Sequence, residues 1–365
     1  MTNKIIFFVL LLVAFNSCTS NQKKVHQYVK LNGEHVFIDS TFYGSTPQLL
    51  CGNLLFSKSN NNSEHCLVCS LSKDSLSNPH GVFRKGNGAD EFHNIALSQG
   101  ENASLYIVDY PNSGNQLLSL TLIRKTEDIA SIKDSQSWER FSLLNLSPFR
   151  SVFDTFVSLS DSTILVPGAP YNNIGHILSV INFKKQTIVP LNYWPNDGIS
   201  CDSLAKHSVY TDNCRLYTNG ERHFLYLCGE ERFAFIFTFD GSSLNVVKEL
   251  YSEKPQYTGA GQGNYAIENR TGKRLKIEVN ESHIYAFLIE KDRDGTLAKD
   301  YRTSIYGNIV EIYDWEGNLE KTLELDHFGK NIKVTKEDEI LYLFTDKKNS
   351  GDQEIWGYDL SLIGI

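Results

Sequence analysis

A chain of 365 residues, 41% hydrophobic and 21% charged, is long enough to bury a core and too apolar to stay disordered. Its net charge of −8, with lysines and arginines scattered along the sequence, sets aside recognition of a nucleic-acid backbone, which needs a basic face. A single methionine against 21 phenylalanines and 18 tyrosines points to a rigid, aromatic β core.

Met1 to Lys4 make a short basic start, and Ile5 to Phe15 an apolar run too short to span a bilayer as a helix, which is the pattern of a signal peptide. The run closes on Ala14-Phe15-Asn16-Ser17-Cys18, which resembles a lipobox, where a small residue precedes the cysteine that is lipidated before cleavage. Residues 1–17 are expected to be a lipoprotein signal peptide, Cys18 the lipidated residue, and residues 18–24 a polar tether to a body formed by 25–365. Phe15 and Asn16 depart from the commonest lipobox, so ordinary secretory cleavage nearby is the competing expectation. Both outcomes take the chain out of the cytoplasm; the first anchors it by lipid in the cell envelope, with the outer membrane the expected one.

Six cysteines follow Cys18. In an oxidising compartment an even number permits disulfides, and Cys201 with Cys214 is the pair favoured by closeness in sequence. Cys66-Leu67-Val68-Cys69 is a CxxC, but it lies in a predicted strand, where positions three apart face opposite sides of the sheet and cannot share a metal or a redox couple.

Beyond the tether, short runs rich in Val, Ile, Leu, Phe and Tyr are broken by Gly, Asn, Asp and Ser every ten residues or so, an all-β signature. Units of four strands recur: Asn53–Ser57, Glu64–Leu71 and Val82–Lys85 suggest one, and Asn94–Leu97, Ser104–Asp109, Gln116–Ile123 and Trp138–Leu144 another. Phe156–Leu159, Thr163–Val166, His176–Phe183 and Thr187–Tyr193 make a third, and Cys214–Thr218, His223–Cys228, Phe233–Asp240 and Leu244–Leu250 a fourth. The fifth joins Tyr265–Asn269 or Leu275–Val279 to His283–Ile289, Gly307–Tyr313 and Leu319–Leu325, enlarged by a charged insertion over 290–301. Asn331–Val334, Ile340–Thr345 and Glu354–Leu360 are one strand short, and Val25–Leu31 or His35–Ile38 can supply the missing one. The expected fold is therefore a six-bladed β-propeller whose ring is closed by an N-terminal strand. Two β-sandwiches compete, but no Pro- or Gly-rich linker divides the chain at its middle. No sustained helical periodicity is visible; residues 127–134 suit one helical turn in a loop.

The segment Arg84-Lys85-Gly86-Asn87-Gly88-Ala89-Asp90-Glu91-Phe92 resembles the GxGxxxF that follows the outer strand in NHL-type and TolB-like six-bladed propellers. Phe153-Asp154 and Ile312-Tyr313-Asp314-Trp315-Glu316-Gly317-Asn318 are similar to blade openings and hairpins of the TolB-like propeller lipoproteins. The resemblance spans nearly everything after residue 25 and implies fold, not function, because propellers host binding modules and enzymes alike.

No GxSxG elbow, HExxH pair or EF-hand loop is present, and Asp292-Arg293-Asp294-Gly295 lacks the distal Glu of a calcium loop. The loops Gly168-Ala169-Pro170-Tyr171-Asn172-Asn173 and Gly259 to Tyr265 combine backbone freedom with an aromatic ring and amides, which suit a sugar or peptide ligand. Tyr171, Asn172 and Tyr265 are thus candidate ligand contacts, with Arg150 and Arg270 nearby for an anionic group. The leading expectation is an envelope module that binds a protein or glycan without cofactor. The alternative is a metal-dependent hydrolase or lactonase, with calcium held by residues such as His93, Asp154 and Asn172 in a central channel.

Overall fold

The computed structural model describes residues 27–39, 42, 44–100, 104–111, 117–126, 128–146, 149–150, 155–170, 173–212, 214–228, 232–241, 243–261, 263–268, 273–292, 294–299, 305–347 and 352–365. Cys18, Asp154, Tyr171, Asn172 and Arg270 lie outside this set, as do the segments expected to be a signal peptide (1–17) and a tether (18–24).

Strands β1 (Gln27–Leu31) and β2 (Glu34–Ile38) come first, then an antiparallel run of β3 (Gly44–Cys51), β4 (Leu54–Ser59), β5 (Glu64–Leu71) and β6 (Ser75–Lys85), with the short β7 (Glu91–Phe92) beside β6. The next sheet is β8 (Ile95–Gln99), β9 (Leu105–Asp109), β10 (Ser119–Ile123) and, after helix α1 (Ile129–Lys133), β11 (Glu139–Ser142). Strand β12 (Phe149–Arg150) precedes β13 (Val157–Ser160), β14 (Thr163–Pro167), β15 (Ala169–Pro170), β16 (Leu178–Asn182) and β17 (Thr187–Pro190). Of these, β13-β14-β16-β17 form a sheet and β12 pairs with β15.

Helix α2 (Ser203–Thr211) leads into the sheet of β18 (Arg215–Thr218), β19 (His223–Cys228), β20 (Phe233–Phe239) and β21 (Leu244–Ser252). A separate hairpin, β22 (Tyr257–Gly261) and β23 (Asn264–Ile267), packs on α2. Then come β24 (Arg274–Val279), β25 (His283–Ile289), β26 (Gly307–Asp314) and β27 (Leu319–Gly329), and finally β28 (Asn331–Val334), β29 (Ile340–Asp346) and β30 (Gln353–Asp359). The chain is all-β, with the repeating four-stranded meanders of a propeller-type protein.

The core is divided into wedges between consecutive sheets. Phe56, Val68 and Cys66 meet Leu105, Ile107 and Ile123; Tyr106, Val108 and Leu120 meet Ile164, Val166 and Ile181; Leu165 and Leu178 meet Tyr226 and Phe235. Leu225 and Ile236 meet Ile277 and Ile284, and Phe287, Val310 and Leu323 meet Ile332, Leu341 and Leu343. The last wedge joins the two ends of the sequence, with Val36, Leu55 and Leu67 against Tyr342, Phe344 and Ile355. Each central strand is apolar on both faces because it feeds two wedges at once.

The CxxC behaves as strand alternation requires, with Cys66 in one wedge and Cys69 in the other. Of the two N-terminal candidates for the missing strand, it is β2 that pairs antiparallel with β30, His35 opposite Trp356. It also runs parallel to β6, Phe37 opposite Ser75. Strand β1 instead adds in parallel to β27. In the fifth unit the pairing strand is β24, not the Tyr265 segment, which belongs to the separate hairpin.

Two expectations are corrected. Helix α2 was invisible as a periodic pattern because it is buried from Ala205 to Thr211 on every side, so no polar face alternates with an apolar one. Asp202 caps it, accepting from Ala205 N at 2.8 Å. The same helix lies between Cys201 and Cys214 in the sequence. Both are thiols, not half-cystines; Cys214 is buried in the wedge core and the Cys201 Sγ points to Asp202 O at 3.4 Å.

The glycine segment is built around a carboxylate. Gly86, at φ +152°, leaves no room for a Cβ, which would stand 2.0 Å from Glu91 Oε2. Gly88 N donates to that oxygen at 2.9 Å and Gly86 N to Phe92 O at 3.0 Å. Phe92 is thereby fully buried against Phe83 and Trp138, with the Arg140 guanidinium 4.6 Å above its ring.

Candidate functional site

The first strand of each unit lies at one edge of its sheet. These strands neighbour one another in order: β3 with β8, β8 with β13, β13 with β18, β18 with β24, β24 with β28, and β28 with β3. They enclose a cavity of about 1600 Å³, lined by residues from all of them. Ligand pockets for small molecules usually hold about 300–1,000 Å³, so this space admits something larger than a single metabolite.

The charged residues of these strands border the cavity beside residues that also reach the core. On β24, Arg274, Lys276 and Glu278 line it, and Leu275 and Ile277, which pack into a wedge, border it too. On β28, Asn331 and Lys333 line it beside Val334, while Ile332 is core. On β18, Arg215, Leu216 and Tyr217 all border it, Leu216 reaching the core as well. Opposite them, the wall of β8 and β13 offers hydroxyls and amides, among them Asn94, Ser98, Gln99 and Ser158.

The cavity has a sign. Among the described residues eight lysines and arginines line it against three glutamates and no aspartate, inside a chain of net charge −8. Lys333, 4% exposed, donates to Glu278 and, at 3.0 Å, to Gln48 O, tying β28 to β24 and β3. Burial holds the Glu278 carboxyl above its ordinary range against the pull of Lys333 and Lys276. Lys276 is pushed down to about 8, first by burial and then by the positive charges of Lys333, Arg215 and Arg274, with Glu278 as the opposing anion. Burial and Glu278 also hold the Tyr217 hydroxyl above its usual value.

The candidate residues drawn from sequence are not gathered here. Arg150 pairs with Ala169 across β12 and β15, bringing its backbone beside the start of the Pro170 loop and away from the cavity lining. Tyr265, opposite Gly259 on the β22–β23 hairpin, lies half-buried against the wedge core. His93 is outside the cavity lining, with its Nδ1 3.5 Å from Asp109 Oδ2 and its backbone N donating to Asp109 Oδ1 at 2.9 Å. Among the described residues no group of His, Cys, Asp or Glu is placed so that it could hold a metal ion. Asp292 accepts from Thr296 Oγ1 at 2.6 Å and from the Asp294 and Thr296 amides, the self-contained turn expected for that segment.

What sequence reading missed is the basic cluster. Arg215, Arg274 and Lys333 are far apart in the chain, yet each occupies the inner strand of its unit, one repeat from the next. The usable signal was the alternation Arg274-Leu275-Lys276-Ile277-Glu278-Val279, in which one face of a strand is wholly charged.

No protein-family model and no curated protein matches the chain. Solved structures do resemble it in outline. An auxiliary nutrient binding protein from Bacteroides thetaiotaomicron is 11% identical over 87% of this chain and 70% of its own, with a TM-score of 0.46. An oligogalacturonate lyase from Vibrio parahaemolyticus is 10% identical, with 91% and 97% covered and a TM-score of 0.42. The WD40 domain of Toxoplasma gondii coronin is 8% identical, with 84% and 66% covered and a TM-score of 0.41. These likenesses are distant ones, and none identifies a ligand or a reaction.

Proposed function

We propose that the protein is a six-bladed β-propeller, closed by β2, that is lipid-anchored through Cys18 in the cell envelope and binds a glycan in its central channel without catalysing a reaction. The observation that carries the reading is the large polar cavity framed by the inner strands. The cyclic neighbourhood of those strands and the pairing of β2 with β30 support the six-bladed ring. Hydroxyl, amide and charged groups along the lining suit the hydroxyls of an oligosaccharide. A space of this volume accommodates a short saccharide and excludes a folded protein.

The test is a saccharide panel read by thermal shift on the full-length protein, followed by calorimetry on each hit, with sugar analysis for any cleaved product. Stoichiometric binding with the saccharide recovered intact supports the reading. A cleaved saccharide, or no shift with any of them, rejects it. Mass spectrometry of the N-terminal peptide checks the anchor, which requires a diacylglyceryl Cys18.

A further inference from the structure

We propose that Arg215, Arg274, Lys276 and Lys333 form the subsite for the carboxylates of an acidic oligosaccharide. The inference rests on the glycan reading above and names the ligand class. The four cations come from three neighbouring inner strands and line one cavity, in which Glu278, the anion on β24 beside them, is already engaged by Lys333. Lys276 sits among Lys333, Arg215 and Arg274, and burial first, then these charges, weaken its ammonium. An incoming carboxylate brings an opposite charge into that neighbourhood.

The arrangement suits a ligand with more than one charge. Alternate residues on a strand are about 7 Å apart, and the cations are carried on three strands, β18, β24 and β28. A single phosphate is usually gripped by backbone N–H groups at a helix N-terminus, and the lining here consists of strands and their turns. The facing wall of Asn94, Ser98, Gln99 and Ser158 supplies partners for sugar hydroxyls next to the charged wall.

The experiment is calorimetry on the full-length protein in mild detergent, with tetramannuronate, the neutral mannotetraose and tripolyphosphate as probes. Tetramannuronate is expected to bind at least tenfold more tightly than mannotetraose. Lys276→Gln is expected to weaken it about tenfold, as loss of one charged hydrogen bond predicts, while Lys276→Arg keeps affinity and the exposed control Lys185→Gln changes nothing. On the unaltered protein, affinity is expected to fall as pH rises through about 8, because Lys276 loses its proton there among Lys333, Arg215, Arg274 and Glu278.

Equal affinity for the two tetrasaccharides, insensitive to Lys276→Gln, overturns the acidic subsite and leaves the glycan reading standing. Binding of tripolyphosphate alone shows an oxyanion site that takes no saccharide, and overturns both. Binding of none of the three also overturns both.

Discussion

Lys206 Nζ donates to Asp197 Oδ1 across 2.9 Å, and the carboxylate is fully shielded from solvent. The other carboxylate oxygen accepts from Tyr257 at 2.8 Å and Tyr210 at 3.1 Å, so one side chain fastens helix α2 and the β22–β23 hairpin to the loop before them. Burial works against the charged form of Asp197, but Lys206 and the Ile199 amide hold its carboxyl below the usual range. Asp197→Ala strands a buried ammonium and is expected to cost about 3–5 kcal/mol. Urea unfolding reads this, and the double variant with Lys206→Met is expected to recover part of it.

A second polar cluster clasps β25 to the β28–β29 turn. His283 Nδ1 lies 2.9 Å from Asp338 Oδ2 and its Nε2 3.3 Å from Glu320, while Tyr285 and Asn280 donate to Asp338. Burial alone would depress His283, but the two carboxylates outweigh it and raise it above its ordinary value; Asp338 is correspondingly lowered. A raised histidine stabilises the fold when protonated, so this contribution is complete below pH ~6.5 and lost as pH climbs through the folded value. Asp338 contributes above pH ~4 and loses its part as pH falls. Stability measured by urea melts is expected to decline as pH rises above ~6.5, and His283→Gln to flatten that decline.

Gly307 opens β26 where the ladder to β27 shifts register. A Cβ there would lie 1.9 Å from the Leu288 carbonyl oxygen, which is backbone and cannot swing aside. Gly307→Ala is expected to cost about 2–3 kcal/mol. At Gly52, φ is +57° but nothing stands in the way of a Cβ, so Gly52→Ala is expected to cost only about 1 kcal/mol. Paired thermal melts separate the two.

Cysteine reactivity gives a reading of the N-terminus. Burial pushes the Cys66 and Cys69 thiols up to about 12, and Cys51, Cys214 and Cys228 are buried as well. Cys201 is partly exposed. With a thioether-linked lipid on Cys18, native full-length protein is expected to show one fast thiol toward an aromatic disulfide reagent, removed by Cys201→Ser. Two fast thiols would mean that Cys18 carries no lipid.

The central strands were legible from sequence because each is apolar on both faces: His223–Cys228 and His283–Ile289 coincide with their predicted spans. The inner strand Gly44–Cys51 was not, since Thr46, Pro47 and Gln48 face the polar cavity and read as a loop. The same property hid the site. A residue that lines a solvent channel looks like any surface residue in one dimension, and only the ring geometry brings Arg215 to Lys276. Aromatic loops such as Gly259 to Tyr265 drew attention instead, and there Tyr265 is half-buried against a wedge.

Strand β1 pairs with β27, Gln27 opposite Lys321, and β2 with β30. The first strands to leave the ribosome therefore wait for the last ones made. Until the C-terminal residues are available the wedge that joins the two ends lacks Tyr342, Phe344 and Ile355, and Val36 has only the neighbouring residues of its own end, such as Leu55 and Leu67, to pack on. Contacts of such long sequence separation form late and slowly. The two ends of the sequence thus complete one wedge together, and removal of the last strand would open it.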